Sequence, residues 1–192
     1  MKKYHYFAIC LIVFISCKGE NKPDNGALES LKLKSEKKVV LNEDYNELLT
    51  LEMAAKVTGF EASKAQKLHS GKGMLSEILR YYWENGREVV KEKSASNRKR
   101  VVYTRSDLVQ ISFVDFEADR ASFSDFVRVE THPELAEIAD VGEVAYWNST
   151  KNFLEVYYKG VSFRVMAVIS NDENINKEKT IELAQLIIKE KL

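Results

Sequence analysis

The amino-acid sequence predicts an α+β fold, an antiparallel sheet of about six strands covered by helices, with two similar helix-plus-three-strand halves and a closing C-terminal helix. Three observations carry the prediction. Apolar residues alternate with a period of two over several short runs and with a helical period over others. Successive strand-like runs meet at turns too short for a crossover, Asn85-Gly86 and Lys159-Gly160, so their pairing is antiparallel. The helical runs each carry one apolar stripe, the mark of helices that lie on one face of a sheet.

Thr50 ahead of Leu51 to Thr58, with Glu52 in the first turn and Gly59 behind, reads as an N-cap, a short helix and a C-terminal glycine. Tyr45, Leu48 and Leu49 add a turn before it. Residues 60–74, with Gly71 and Gly73, read as a loop. Ile78 to Glu84 and Arg87 to Lys93 read as two strands of a hairpin turning at Asn85-Gly86, because both turn residues tolerate positive φ. After the polar turn Ser94 to Lys99 come strand-prone residues 101–103 and 108–114. A helix is expected near Ser122, where Ser122-Phe123-Ser124-Asp125 approximates a capping box and Phe123, Phe126 and Val127 share a face. Beyond His132-Pro133, residues 143–147, 153–158 and 161–169 are strands, the last presenting Val161, Phe163, Val165, Ala167 and Ile169 on one face. Residues 177–192 close the chain as a helix striped by Ile181, Ala184, Leu186, Ile187 and Ile188. The order of elements repeats, but no sequence period does.

The chain has 192 residues, with 29 basic and 29 acidic side chains, which excludes the charge excess of a nucleic-acid-binding protein. Lys2 and Lys3, the apolar run Tyr6 to Ile15 and the small Ser16 follow the order of a secretory signal, residues 1–16. Its apolar part spans about 15 Å as a helix, short of the roughly 20 residues a stable membrane span needs. Val13-Phe14-Ile15-Ser16-Cys17 resembles the lipobox of bacterial lipoproteins, with Phe14 where leucine is usual. That resemblance implies that Cys17 is acylated and becomes the first residue of the processed chain, in place of a stray thiol behind an ordinary cleavage site. Several acyl chains, at about 0.8 kcal/mol per buried methylene, anchor durably where a single chain does not. Lys18, in place of an aspartate, favours the outer over the inner membrane of a cell that has two. Cys10 leaves with the signal and Cys17 takes lipid, so the rest of the chain has no thiol for a disulfide or a sulfur-ligated metal. Residues 17–42 read as the lipidated N-terminus and a polar tether of roughly 25 to 30 Å, and residues 43–192 as one domain.

The segment Val141-Gly142-Glu143-Val144-Ala145-Tyr146-Trp147, with Leu154-Glu155-Val156, Lys159-Gly160 and the closing helix, resembles small bacterial lipoproteins of unknown function in which a Gly-x-x-Ala-Tyr-Trp strand opens the second half. The start of the first helix at Leu48-Leu49-Thr50 is similar too. These proteins share the compact α+β sandwich of a photosystem assembly factor and a nuclear-transport factor. The resemblance implies that fold and no catalytic residues.

The chemistry in the residues themselves is sparse. His69 and His132 lie far apart and outside any metal-type spacing, and read as solvated or turn histidines. Asp172 to Asn176 begins like a calcium loop, but Lys177 and Leu183 stand where glycine and a bidentate glutamate belong, so an asparagine capping the final helix is the expectation. Asp115, Glu117, Asp119 and Asp125 read as a solvated helix start, and Lys72 lacks the phosphate-loop spacing. Ser162 lacks the second glycine of a nucleophile elbow, and Arg98-Lys99-Arg100 with Lys91 and Lys93 reads as a basic hairpin end. Adjacent aromatics on strands place one ring of a pair inside and one outside, and Tyr81, Trp83, Tyr146, Trp147 and Tyr158 are the candidates for a recognition surface. The expectation is a lipid-anchored envelope protein that binds an envelope protein or a small ligand without catalysis and without a cofactor. The alternatives are an envelope enzyme or enzyme accessory, marked by a deep pocket collecting a histidine with carboxylates, and an assembly factor, marked by an exposed apolar patch.

Overall fold

A computed structural model describes residues 44–91 and 101–192. Two helices open this part of the chain, α1 (Tyr45–Leu48) and α2 (Leu51–Thr58). The Asp44 carboxylate accepts from Asn46 N at the start of α1, and Thr50 Oγ1 accepts from Met53 N at the start of α2. Gly59 ends α2 at φ 75°, and its N–H donates to Ala55 O, the left-handed cap that glycine supplies without strain. Then come β1 (Gln66–Ser70), β2 (Ile78–Lys91), β3 (Val101–Asp115), α3 (Arg120–Val127), β4 (Leu135–Glu137), β5 (Val144–Asn148), β6 (Phe153–Tyr158), β7 (Val161–Val168) and α4 (Glu173–Lys191). The strands form one antiparallel sheet in the order β1-β2-β3-β7-β6-β5-β4. The first three strands and the last four thus meet where β3 pairs with β7.

One face of the sheet carries α1, α2 and α4. There Leu79, Tyr81 and Trp83 of β2, Val109 and Ile111 of β3, Leu154 and Val156 of β6, and Phe163, Val165 and Ala167 of β7 pack against Leu48, Val57, Leu183 and Ile187. The other face is covered only in part, by α3, whose Phe123 and Val127 pack against Val144 and Tyr157. The closing helix is also held by polar groups. Asn176 Oδ1 accepts from Ile169 N and Ser170 N, and the fully buried Thr180 accepts from Ala167 N through Oγ1. Thr180 thereby satisfies a buried β7 backbone donor, and Asn176 satisfies two donors just past the end of that strand. Among the described residues no helix is long and apolar enough to cross a membrane.

Several expectations are corrected. The sheet has seven strands instead of about six, because two edge strands were unread while the two strands expected around Asn85-Gly86 are one. β1 falls in the expected loop, and its mostly exposed residues give no apolar alternation. β4, three residues long, gives the second half four strands. Asn85-Gly86 is no hairpin turn: β2 runs through it and pairs with β3 on both sides, with a register shift between Trp83 and Arg87. Gly86, at φ 68°, lets the strand bulge there instead of reversing. The β2–β3 connection, with Lys93 and Arg98-Lys99-Arg100, lies outside the described residues, as do Cys17 and the segments expected to be a signal and a tether.

The helix boundaries shift as well. Asp119, not Ser122, caps α3, while Ser122 sits three residues in and returns the bond to Asp119 N. Phe126 is half-exposed on α3 although Phe123 and Val127 are buried. Helix α4 starts at Glu173, capped by Asp172 and not by an asparagine. The helices do not share one face, since α3 packs opposite the other three.

Candidate functional site

The site is a cleft of about 400 Å³ lined by five stretches of chain, one of them the end of β3. The first is the loop between β1 and β2. There Glu77, 5% exposed, receives Gly73 N on Oε2 at 2.6 Å and lies 2.7 Å from His69 Nε2 through Oε1. A buried carboxylate with both oxygens occupied folds the loop back on itself, assisted by Gly71, whose φ is 69°. The apolar Met74 and Leu75 are left at the loop's crest, 66% and 93% exposed.

Tyr45, at the start of α1, forms part of the floor. Its ring stacks on His69 at a centroid distance of 6.3 Å, and its hydroxyl oxygen accepts from Val114 N at 2.9 Å. Burial pushes the phenol above its ordinary pKa, so it stays protonated.

The third stretch is the last turn of β3. The β3–β7 register shifts between Ser112 and Asp115, and Phe113 stands there at φ 51°, a left-handed conformation that an aromatic residue adopts only under constraint. The bulge turns Phe113 outward, with its ring centroid 5.8 Å from that of Phe126 on α3. Beneath both lies Arg164 of β7, whose guanidinium carbon is 4.4 Å from the Phe113 centroid and 4.0 Å from that of Phe153. Arg164 pairs with Glu155, which is buried; burial raises the Glu155 pKa, against the opposing pull of Arg164. Ser122, Phe123 and Phe126 of α3, with Ser162 of β7, complete the wall, and Asp115 stands at the mouth.

A mostly aromatic and aliphatic enclosure with a few polar groups suits an apolar guest. Glu77 and Asp115 belong to the lining and His69 lies behind Glu77, so the cleft gathers two carboxylates, one of them with a histidine at its back. His132 faces Glu134 elsewhere, at 3.2 Å. A second, polar hollow of about 350 Å³ lies beside Arg87, Arg105, Asn152 and Asn171, with Arg87 held by Asp107 and Asn171. Among the described residues no group of three or more His, Cys, Asp or Glu side chains is placed to hold a metal ion.

The aromatics proposed from the sequence lie elsewhere. Tyr81, Trp83 and Trp147 are 6%, 1% and 5% exposed and belong to the core, which corrects their reading as a recognition surface. Trp83 Nε1 donates to Glu61 O, so even its polar edge is used internally. Tyr146 is half-buried against Phe123, and Tyr158 is half-buried with Lys159 Nζ 5.0 Å from its ring centroid. None of the five lines the cleft. Of the four clustered carboxylates, Asp115 reaches the cleft and Asp119 caps α3. Leu75, Phe113 and Phe126 were missed as site residues. The glycine pair around Lys72, which shapes the crest, and the Phe113–Phe126 separation across a strand-to-helix junction were the only signals.

Comparison of the chain with family models, with curated protein sequences and with solved structures gives no match.

Proposed function

We propose that this chain is an envelope lipoprotein, anchored through lipid on Cys17, whose α+β domain holds a partner or ligand in the cleft at the end of β3 without transforming it. One observation carries the binding role: Met74, Leu75, Phe113 and Phe126, four large apolar side chains left exposed by the fold, all border one cavity. Scattered exposed apolar residues are ordinary, whereas their concentration at a concavity marks a surface that is covered in use. Burying one such side chain is worth about 1.5–3 kcal/mol, so even partial cover of four supplies a binding drive. The reading takes the strand sets β1–β3 and β4–β7 as two versions of one helix-plus-strands unit. It keeps the kinship with the lipoprotein sandwich domains and an outer-membrane location as parts of the same proposal.

Binding of the neutral dye Nile red, followed by its fluorescence, tests the cleft. Leu75→Ser with Phe126→Ser is expected to weaken binding about tenfold while leaving the unfolding temperature within a few degrees, since both side chains are at least half-exposed. Equal binding by the double variant would remove the cleft from consideration. For the anchor, Cys17→Ser is expected to release the chain from the membrane fraction and to end labelling by a fatty-acid analogue. The enzyme alternative is favoured by the His69–Glu77 pair behind the cleft wall; turnover of a captured ligand that stops in His69→Asn would establish it in place of the binding role.

A further inference from the structure

On the reading that the cleft is a binding site, we infer that its occupant is a basic, apolar polypeptide segment of a partner protein. Charge is the first reason. The two stretches that build most of the site, residues 71–77 and 113–126, carry Glu77, Asp115, Glu117, Asp119 and Asp125 against only Lys72 and Arg120. Lys72 already faces Asp44 at 3.9 Å. An anionic head, such as a fatty-acid carboxylate or a phosphate, would enter beside the buried Glu77 and past Asp115 with no cation among the lining residues to receive it. A lysine or arginine side chain meets complementary charge there, and acidic side chains spaced from Asp115 to Asp125 offer places for more than one.

Extent is the second reason. A cavity of about 400 Å³ accommodates one or two side chains, yet the apolar rim continues outside it. Leu75 keeps 93% of its surface exposed and Met74 66%, and Phe126 presents a half-exposed ring across the mouth. A compact small molecule seated in the cavity leaves that crest wet. A polypeptide that puts one apolar anchor in the cavity and runs across the crest covers both, in the manner of apolar anchors spaced along an amphipathic segment. Met74 adapts to such a partner through its unbranched, flexible side chain.

The test uses the chain of residues 18–192 and three fluorescein-labelled peptides of about fourteen residues, matched in length, with alternating Leu and Lys, Leu and Glu, or Ser and Lys, read by fluorescence anisotropy. The Leu/Lys peptide is expected to bind about tenfold or more tightly than either other peptide. Leu75→Ser with Phe126→Ser is expected to weaken it about tenfold, and Glu117→Lys with Asp125→Lys several-fold, the charge variant also flattening the salt dependence. Nile red binding should be unchanged in the charge variant. If the Leu/Glu peptide binds as well as Leu/Lys, or if no peptide binds while Nile red is still held, the inference falls and the cleft reading survives. Loss of Nile red binding as well sinks both. Sedimentation of the wild-type chain with phosphatidylcholine vesicles, lost in the Leu75→Ser, Phe126→Ser variant and unaccompanied by peptide binding, would make a lipid surface the occupant and overturn the inference.

Discussion

Thr180→Val isolates one hydrogen bond between α4 and the sheet. β6 pairs with β7 only as far as Leu154↔Val165, so the Ala167 N–H has no strand partner on that side and donates instead to Thr180 Oγ1 at 2.9 Å. The same hydroxyl donates to Asn176 O at 2.7 Å, and Thr180 is fully buried. Valine keeps the shape and removes the acceptor. An unpaired buried amide costs about 1–3 kcal/mol, partly offset by about 0.8 kcal/mol for the added apolar group, which leaves a net loss of up to about 2 kcal/mol. For a domain of this size that lowers the melting temperature by up to about 8 °C. Thr180→Ser retains the bond and loses a buried methyl, at about 1 kcal/mol, so melting alone does not separate the two variants. Hydrogen exchange at Ala167 does: the amide should stay protected in wild type and in Thr180→Ser and exchange about tenfold faster or more in Thr180→Val. A valine variant with wild-type melting and unchanged Ala167 protection would refute the role given to this hydroxyl.

Two further outcomes follow from the packing. Burial holds the Glu155 carboxyl above the ordinary range, so the folded state keeps a proton that the unfolded state releases. That contribution is complete below the unfolded pKa and fades as pH rises through the folded one, so wild type should lose stability relative to Glu155→Gln in urea titrations as pH rises above the ordinary carboxylate range, and a pH-independent difference would contradict it. At Gly142, φ is 63° and an added Cβ would stand 2.7 Å from Tyr157 O, whereas at Gly59, φ 75°, it would meet nothing within 4 Å. Gly59→Ala should therefore cost about 1 kcal/mol and Gly142→Ala at least about twice that by chemical denaturation, and equal losses would mean the β5–β6 backbone gives way freely.

Local rules that act within a few residues were the legible part of the sequence. Thr50, Gly59 and the run between them define α2 because a cap, a stripe and a left-handed glycine all agree. Residues 153–158 and 161–168 read as strands because both of their faces are largely buried. Asn85-Gly86 misled because the left-handed tendency that closes a hairpin also makes a bulge, and only a partner strand long enough to run past it, β3, distinguishes the two outcomes. β1 and β4 are edges, held by backbone pairing that leaves little trace in their side chains. The cleft was illegible for a related reason: it needs Tyr45, Leu75, Phe113, Phe126 and Ser162 in one place, and no spacing in the chain connects them. Adjacent strand aromatics drew attention instead, but Trp83 and Trp147 were what the core required.

One ring ties the cleft to the start of the described chain. Tyr45 opens α1 one residue after Asp44, rests on His69 and, through its hydroxyl, caps the backbone of the bulge that displays Phe113. Tyr45 is thus shared between the first helix and the floor of the cleft, so the same ring that seats α1 on the sheet also fixes the backbone from which Phe113 projects.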